Sequence, residues 1–231
     1  MTLNDQTIAS REGEELDTQV IDSYLKSAIS GLSGTPQIRQ FPGGASNLTY
    51  LLEYPQRQLV LRRPPFGHKA KSAHDMGREY RIINQLGGSF PYCPKAYVHC
   101  TDETVIGSEF YVMERINGII LRSDMPAELN LDSAKTTQLC KSFIDKLVEL
   151  HNVDYQACGL GDLGKPEGYV QRQISGWTDR YDKAMTPDAP QWAAVKAWLR
   201  DKQPADHPKP GIVHRDYRFD HAILNQSSPM Q

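Results

Sequence analysis

From Glu14 to Ile29, Leu16, Val20, Tyr24, Leu25 and Ala28 recur at helical spacing, and Gly31 and Gly34 close the segment. Residues 1–13 before it are polar and acidic and are expected to form a disordered leader. The period then changes. Ile38–Phe41, Leu48–Tyr54 and Leu59–Arg63 read as three strands, joined by a glycine turn and by Pro55-Gln56-Arg57-Gln58, so antiparallel pairing is predicted. A helix follows over His74–Leu86, then strands over Ala96–Cys100 and Glu109–Met113. Glu114 to Gly118 breaks the pattern and links a β-rich half to a helical one, with helices expected over Asp132–His151, Gly168–Lys183 and Gln191–Lys202. Trp177, Tyr181, Trp192 and Trp198 are the expected packing residues of the last two. The fold class is therefore α+β.

Near the end, Ile212-Val213 and Ala222-Ile223-Leu224 flank a loop crowded with ionisable groups, which predicts strand, polar loop, strand. The loop, His214-Arg215-Asp216-Tyr217-Arg218-Phe219-Asp220-His221, fits the kinase pattern H-R-D-x-x-x-x-N with His221 in place of Asn. In that chemistry Asp216 accepts the proton of an attacking hydroxyl, and the position of His221 ligates a metal on the phosphates. Arg218 either approaches the γ-phosphate or pairs with Asp220. His214 is expected to hold the loop in shape.

Two further features belong to the same chemistry. Strand alternation places Val60 and Arg62 on one face, so Val60 can meet a base while Arg62 reaches phosphates. Ile82, Ile83 and Leu86 put Glu79 on the inward stripe of the next helix, where a carboxylate needs a partner; Arg62 supplies it. The turn containing Gly43, Gly44 and Ser46 is open to two readings, a phosphate-covering hairpin or a plain turn.

Composition narrows the field. The net charge of −2 gives no global field to recruit nucleic acid or an anionic membrane. No apolar run approaches the roughly 18 residues of a membrane span, and the N-terminus has no signal-peptide core. The four cysteines show no C-x-x-C pairing, so a cytoplasmic chain with unpaired thiols is expected.

The segments Phe41-Pro-Gly-Gly-Ala-Ser-Asn-Leu-Thr-Tyr50, Leu59-Val-Leu-Arg-Arg-Pro-Pro-Phe-Gly67, Arg78-Glu-Tyr80, Phe110-Tyr-Val-Met-Glu114, Gly118, Leu150-His-Asn-Val-Asp154, Gly168-Tyr-Val-Gln-Arg-Gln173, Trp177 and the loop from His214 come in an order that resembles the aminoglycoside phosphotransferase and choline kinase-like family. The likeness is to the subfamily found alone in bacteria or fused to acyl-CoA dehydrogenases. It implies a two-lobed protein-kinase-like fold, with a nucleotide-binding lobe over 14–115 and a partial helical lobe over 116–231. It also implies transfer of the γ-phosphate of ATP, with Mg²⁺, to a hydroxyl of a small molecule. In that picture Asp216 is the base, Arg62 and Glu79 the ion pair, and Met113 and Glu114 belong to the adenine hinge. The sequence departs from the family at Arg215, which replaces a glycine, and at His221, which replaces the metal-binding Asn. The family's second metal-binding Asp and C-terminal helices would lie beyond Gln231, so residues 1–231 alone are expected to transfer little or no phosphate. The alternative reading is a nucleotide-binding remnant without turnover; a protein kinase would need an Ala-Pro-Glu segment after Asn225.

Overall fold

The computed structural model describes residues 6–43, 47–66, 75–122 and 125–225. The expected binding residues Gly44 and Ser46 therefore lie outside the described residues. Two compact units divide the chain, one formed by residues 1–153 with 213–231 and the other by 154–212. That division differs from the expected lobe boundary at 115/116.

Five strands make one antiparallel sheet in the first unit: β1 (Gln37–Gln40), β2 (Leu48–Glu53), β3 (Gln58–Arg63), β4 (Ala96–Cys100) and β5 (Phe110–Glu114), in the order β1-β2-β3-β5-β4. Alternation divides their side chains cleanly between two faces. Leu48, Tyr50, Leu52, Leu59, Leu61, Phe110 and Val112 are buried in a core with Ile21, Leu25 and Ile29, two of them from helix α1 (Thr18–Ala28) and Ile29 from its C-cap. The opposite face carries the cross-strand rows Thr49–Arg62–Tyr111 and Leu51–Val60–Met113. Helix α2 (Met76–Leu86) packs against β4 and β5.

Helix α1 starts later than its periodicity suggests because Asp17 caps it, accepting from the amides of Gln19 and Val20. The residues before it are also occupied: Leu16 is buried and the Glu14 carbonyl accepts the Tyr50 hydroxyl at 2.6 Å. The expected disordered leader is docked over its described part. Ile8 pairs with Gln40 of β1 through bonds of 2.8 and 2.9 Å, and Arg39 reaches Thr7. An unpaired edge strand supplies the template for this pairing.

Helix α3 (Ser133–His151) is capped by Asp132 and supports the loop. Phe143 lies between the rings of Tyr217 and Phe219, each 4.1 Å away, and the Tyr217 hydroxyl donates to the Phe143 carbonyl at 2.8 Å. The flanking strands expected around the loop do not form. Ile119 and Leu224 make a single antiparallel bridge and Phe219–His221 a 3₁₀ turn, while Val213 is exposed. A two-residue apolar run has no neighbouring strand to extend along, so it stays irregular.

The second unit contains helices α4 (Tyr169–Ala184) and α5 (Ala193–Asp201), which contact each other. Trp177, Trp192 and Trp198 are 60%, 56% and 61% exposed, contrary to the expectation that they are packed. Two short helices present too little apolar surface to enclose three indoles. Among the described residues, no helix is long and apolar enough to cross a membrane.

Candidate active site

A cavity of about 840 Å³ opens on the Arg62 face of the sheet. Phe41, Leu51, Val60 and Met113 cluster there, and Ile223 joins Phe41, Val60 and Met113 in lining the cavity. Of the catalytic and binding residues expected from the sequence, Gly43, Val60, Arg62, Met113, Glu114 and His221 line it. Arg115 stands with its guanidinium 5.0 Å from the centre of the Phe41 ring.

Arg62 and Glu79 meet as expected, with Nη1 at 3.4 Å from Oε2. The pair is only partly buried, its side chains being 31% and 32% exposed. The roughly 3–5 kcal/mol loss typical of breaking a buried pair therefore does not apply, and solvent screening brings the Coulombic part near that of surface pairs. Two residues missed in the sequence hold the carboxylate as well: Asn47 donates from Nδ2 at 3.0 Å and Tyr111 from its hydroxyl at 3.1 Å. Tyr111 is fully buried, and burial pushes its hydroxyl well above the ordinary range. The register that sets Tyr111 beside Arg62 explains its role, and strand periodicity alone does not reveal register.

Replacing Glu79 by Ala removes the ion-pair partner of Arg62 seen here and a hydrogen bond of a buried phenol, a loss of about 1–3 kcal/mol. We expect a lower melting temperature and weaker nucleotide binding together. Glu79→Gln keeps an acceptor for Tyr111 and is expected to recover most of the stability but little of the affinity. Calorimetric binding and thermal melts on both variants check this; equal affinity for Gln and wild type would show that the charge does not matter.

The loop is a compact ionic knot. Asp216 is 61% exposed, does not line the cavity, and has Arg218 Nε and His221 Nδ1 each at 3.5 Å from one of its carboxylate oxygens. Arg218 donates to Asp220 at 2.7 Å, the second of the two readings open for it. His214 packs edge-on to Tyr217, and burial, reinforced by His221, holds its imidazole below the usual range against the opposing pull of Asp216.

Arg215 adopts φ of 71°, the left-handed region that glycine enters freely. A side chain there costs about 1–2 kcal/mol. Arg215→Gly is expected to stabilise the chain by about 1 kcal/mol, the relief being offset in part by a more flexible unfolded state. Arg215→Ala loses the same guanidinium but keeps the Cβ. Denaturant titrations should show the gain for Gly alone; an equal gain for Ala would trace it to the arginine side chain.

The donor set does not fit Mg²⁺ at His221. Mg²⁺ prefers oxygen ligands in octahedral geometry, His221 offers nitrogen, and both of its ring nitrogens already have partners in the loop. Among the described residues, no group of three or more His, Cys, Asp or Glu side chains is placed to hold a metal ion.

An antiparallel sheet whose third strand ties an arginine to a glutamate on the next helix, with a His-Arg-Asp loop in the same unit, defines a protein-kinase-like phosphotransferase fold. The chain belongs to the phosphotransferase enzyme family, whose model matches residues 37–231. A Ralstonia eutropha JMP134 protein solved as a candidate aminoglycoside phosphotransferase is 33% identical and superposes with a TM-score of 0.80, over 93% of this chain and 62% of that one. Aminoglycoside 2'-phosphotransferase-IIIa, solved with GDP, shares the fold at 16% identity and a TM-score of 0.62, over 93% of this chain and 69% of that one. Acyl-CoA dehydrogenase family member 11 of Gallus gallus is 31% identical over 230 residues, covering 97% of this chain. The chain spans 29% of the length of that relative.

Proposed function

We propose that the chain binds ATP in the cavity on the Arg62 face and transfers its γ-phosphoryl group to a hydroxyl of a small molecule. The observation that carries this reading is the state of Arg62. Its guanidinium is tied to Glu79, yet its Nε is buried without a hydrogen-bond partner among the described residues. The guanidinium, partly exposed and lining the cavity, is placed to donate to phosphate oxygens. Beside it, Val60, Met113 and Phe41 offer an apolar slot to a planar base.

The residues then divide the work. Arg62 holds phosphate oxygens and neutralises charge that spreads over them in the transition state. Asp216 takes the proton of the acceptor hydroxyl as the new oxygen–phosphorus bond forms. The bond from the γ-phosphorus to the bridging oxygen breaks, and its electron pair leaves on ADP. Asp216 lies outside the cavity lining, which favours one second reading, nucleotide binding without transfer.

The test assays residues 1–231 alone and joined to the portion of the Ralstonia homologue that follows the match. ATP and GTP are supplied with hydroxylated acceptors: aminoglycosides and macrolides, suggested by the names of structural neighbours, and hydroxyacyl-CoA thioesters, suggested by the acyl-CoA dehydrogenase relatives. We expect ADP and a phosphorylated acceptor in equal amounts from the joined form, and ATP binding with little or no transfer from residues 1–231 alone. Saturable ATP binding with no product in either form would select the second reading, and absence of nucleotide binding would refute both.

A further inference from the structure

His221 closes its own loop. Its Nδ1 lies 2.9 Å from the main-chain oxygen of Asp216, and its Nε2 lies 3.2 Å from Arg218 Nη2. A carbonyl oxygen only accepts and a guanidinium only donates. These two partners therefore fix the neutral ring as one tautomer, with hydrogen on Nδ1 and the lone pair on Nε2. The ring links the backbone of Asp216 to the side chain of Arg218. Arg218 also donates to Asp220 at 2.7 Å and stands 3.5 Å from the Asp216 carboxylate.

We infer that His221 is a positioning residue, which orients Asp216 through its main-chain carbonyl and through Arg218, and is not a metal ligand. The inference rests on the phosphotransferase reading only in giving Asp216 its catalytic task. To bind a cation, Nε2 would have to expel Arg218, whose charge at 3.2 Å repels the incoming ion. Binding through Nδ1 would require loss of its proton and of the bond to Asp216. The His at a position where the family carries Asn thus replaces a metal contact by a contact within the protein.

Side-chain geometry makes the two arms separable. The amide nitrogen of Asn stands one bond from Cγ, as Nδ1 does, and can keep the bond to the Asp216 carbonyl. The amide oxygen of Gln reaches the place of Nε2 and can keep the bond from Arg218. Ala keeps neither.

Long-range proton–nitrogen correlation NMR of the imidazole rings reads the tautomer, and amide hydrogen exchange reads the order of residues 215–221. We expect His221 in the Nδ1–H form, with ring nitrogen signals that do not take on the shift of a coordinated nitrogen when Mg²⁺ and ATP are added. Exchange should be slowest in the wild type, intermediate in His221→Asn and His221→Gln, and about 30-fold faster in His221→Ala, as expected for loss of both hydrogen bonds. Adding Mg²⁺ should change ATP affinity by the same factor in wild type and His221→Ala, whatever the affinity of each without Mg²⁺. A coordinated ring nitrogen, or a smaller effect of Mg²⁺ on ATP affinity in His221→Ala with unchanged loop exchange, would overturn the inference. If no version binds ATP, the phosphotransferase reading fails, while tautomer and exchange still decide the role of His221.

Discussion

In the form joined to the C-terminal portion of the Ralstonia homologue, replacing Asp216 by Asn is expected to lower phosphoryl transfer by about 10²- to 10⁴-fold, the usual contribution of a positioned general base. ATP affinity should survive, because Asp216 does not line the cavity that holds the nucleotide in this account. The Asn amide preserves size, leaves Tyr217 stacked on Phe143 and keeps the main-chain contact to His221, so the loop retains those supports while losing the charge that faces Arg218. Its oxygen lacks the charge and basicity to take the hydroxyl proton. Single-turnover transfer and calorimetric ATP binding should therefore part company in this variant. Transfer at the wild-type rate would remove Asp216 from the mechanism.

Gly118→Ala is the second large effect. A Cβ at this position would stand far inside van der Waals contact with Ile223 Cγ2 and with the Leu224 main-chain oxygen. Backbone cannot yield as the tip of a flexible side chain does. Relief requires the Ile119–Leu224 bridge, held by bonds of 2.9 and 2.8 Å, to open. Overpacking of this kind costs about 1–3 kcal/mol, and more for Val than for Ala. Ile223 lines the cavity, so its displacement should weaken ATP binding together with stability. Thermal melts and nucleotide titrations on the Ala and Val variants check both; a Gly118→Ala protein that melts like wild type would mean that the 223–224 segment is not clamped here.

Sequence periodicity and structure agree where one period governs. Strand alternation in β3 separates Leu59, Leu61 and Arg63, which face the core side, from Val60 and Arg62, which face the cavity. Helical spacing in α2 likewise brings Glu79 inward to Arg62. What depends on partners far along the chain was hidden. Asn47 and Tyr111 meet Glu79 only through strand register and helix docking, for which a single strand gives no signal. Helix α3 illustrates the same limit: Phe143 is covered by Tyr217 and Phe219 from far along the chain, while its neighbours Ile144 and Val148 are 53% and 50% exposed. The Asn position occupied by His221 was legible as a departure from the family. Its meaning required both ring partners to be seen.

Titrating the chain with ATP while recording side-chain methyl and indole NMR signals decides whether the Arg62 face binds a nucleotide. The second unit supplies an internal control, since Trp177 and Trp192 line a separate apolar cavity there of about 590 Å³. We expect saturable shifts at Val60, Met113 and Ile223, loss of those shifts in Arg62→Met, and unmoved indole signals. Saturable shifts confined to Trp177 and Trp192, or shifts at Val60 and Met113 that persist at the same affinity without Arg62, would contradict that expectation.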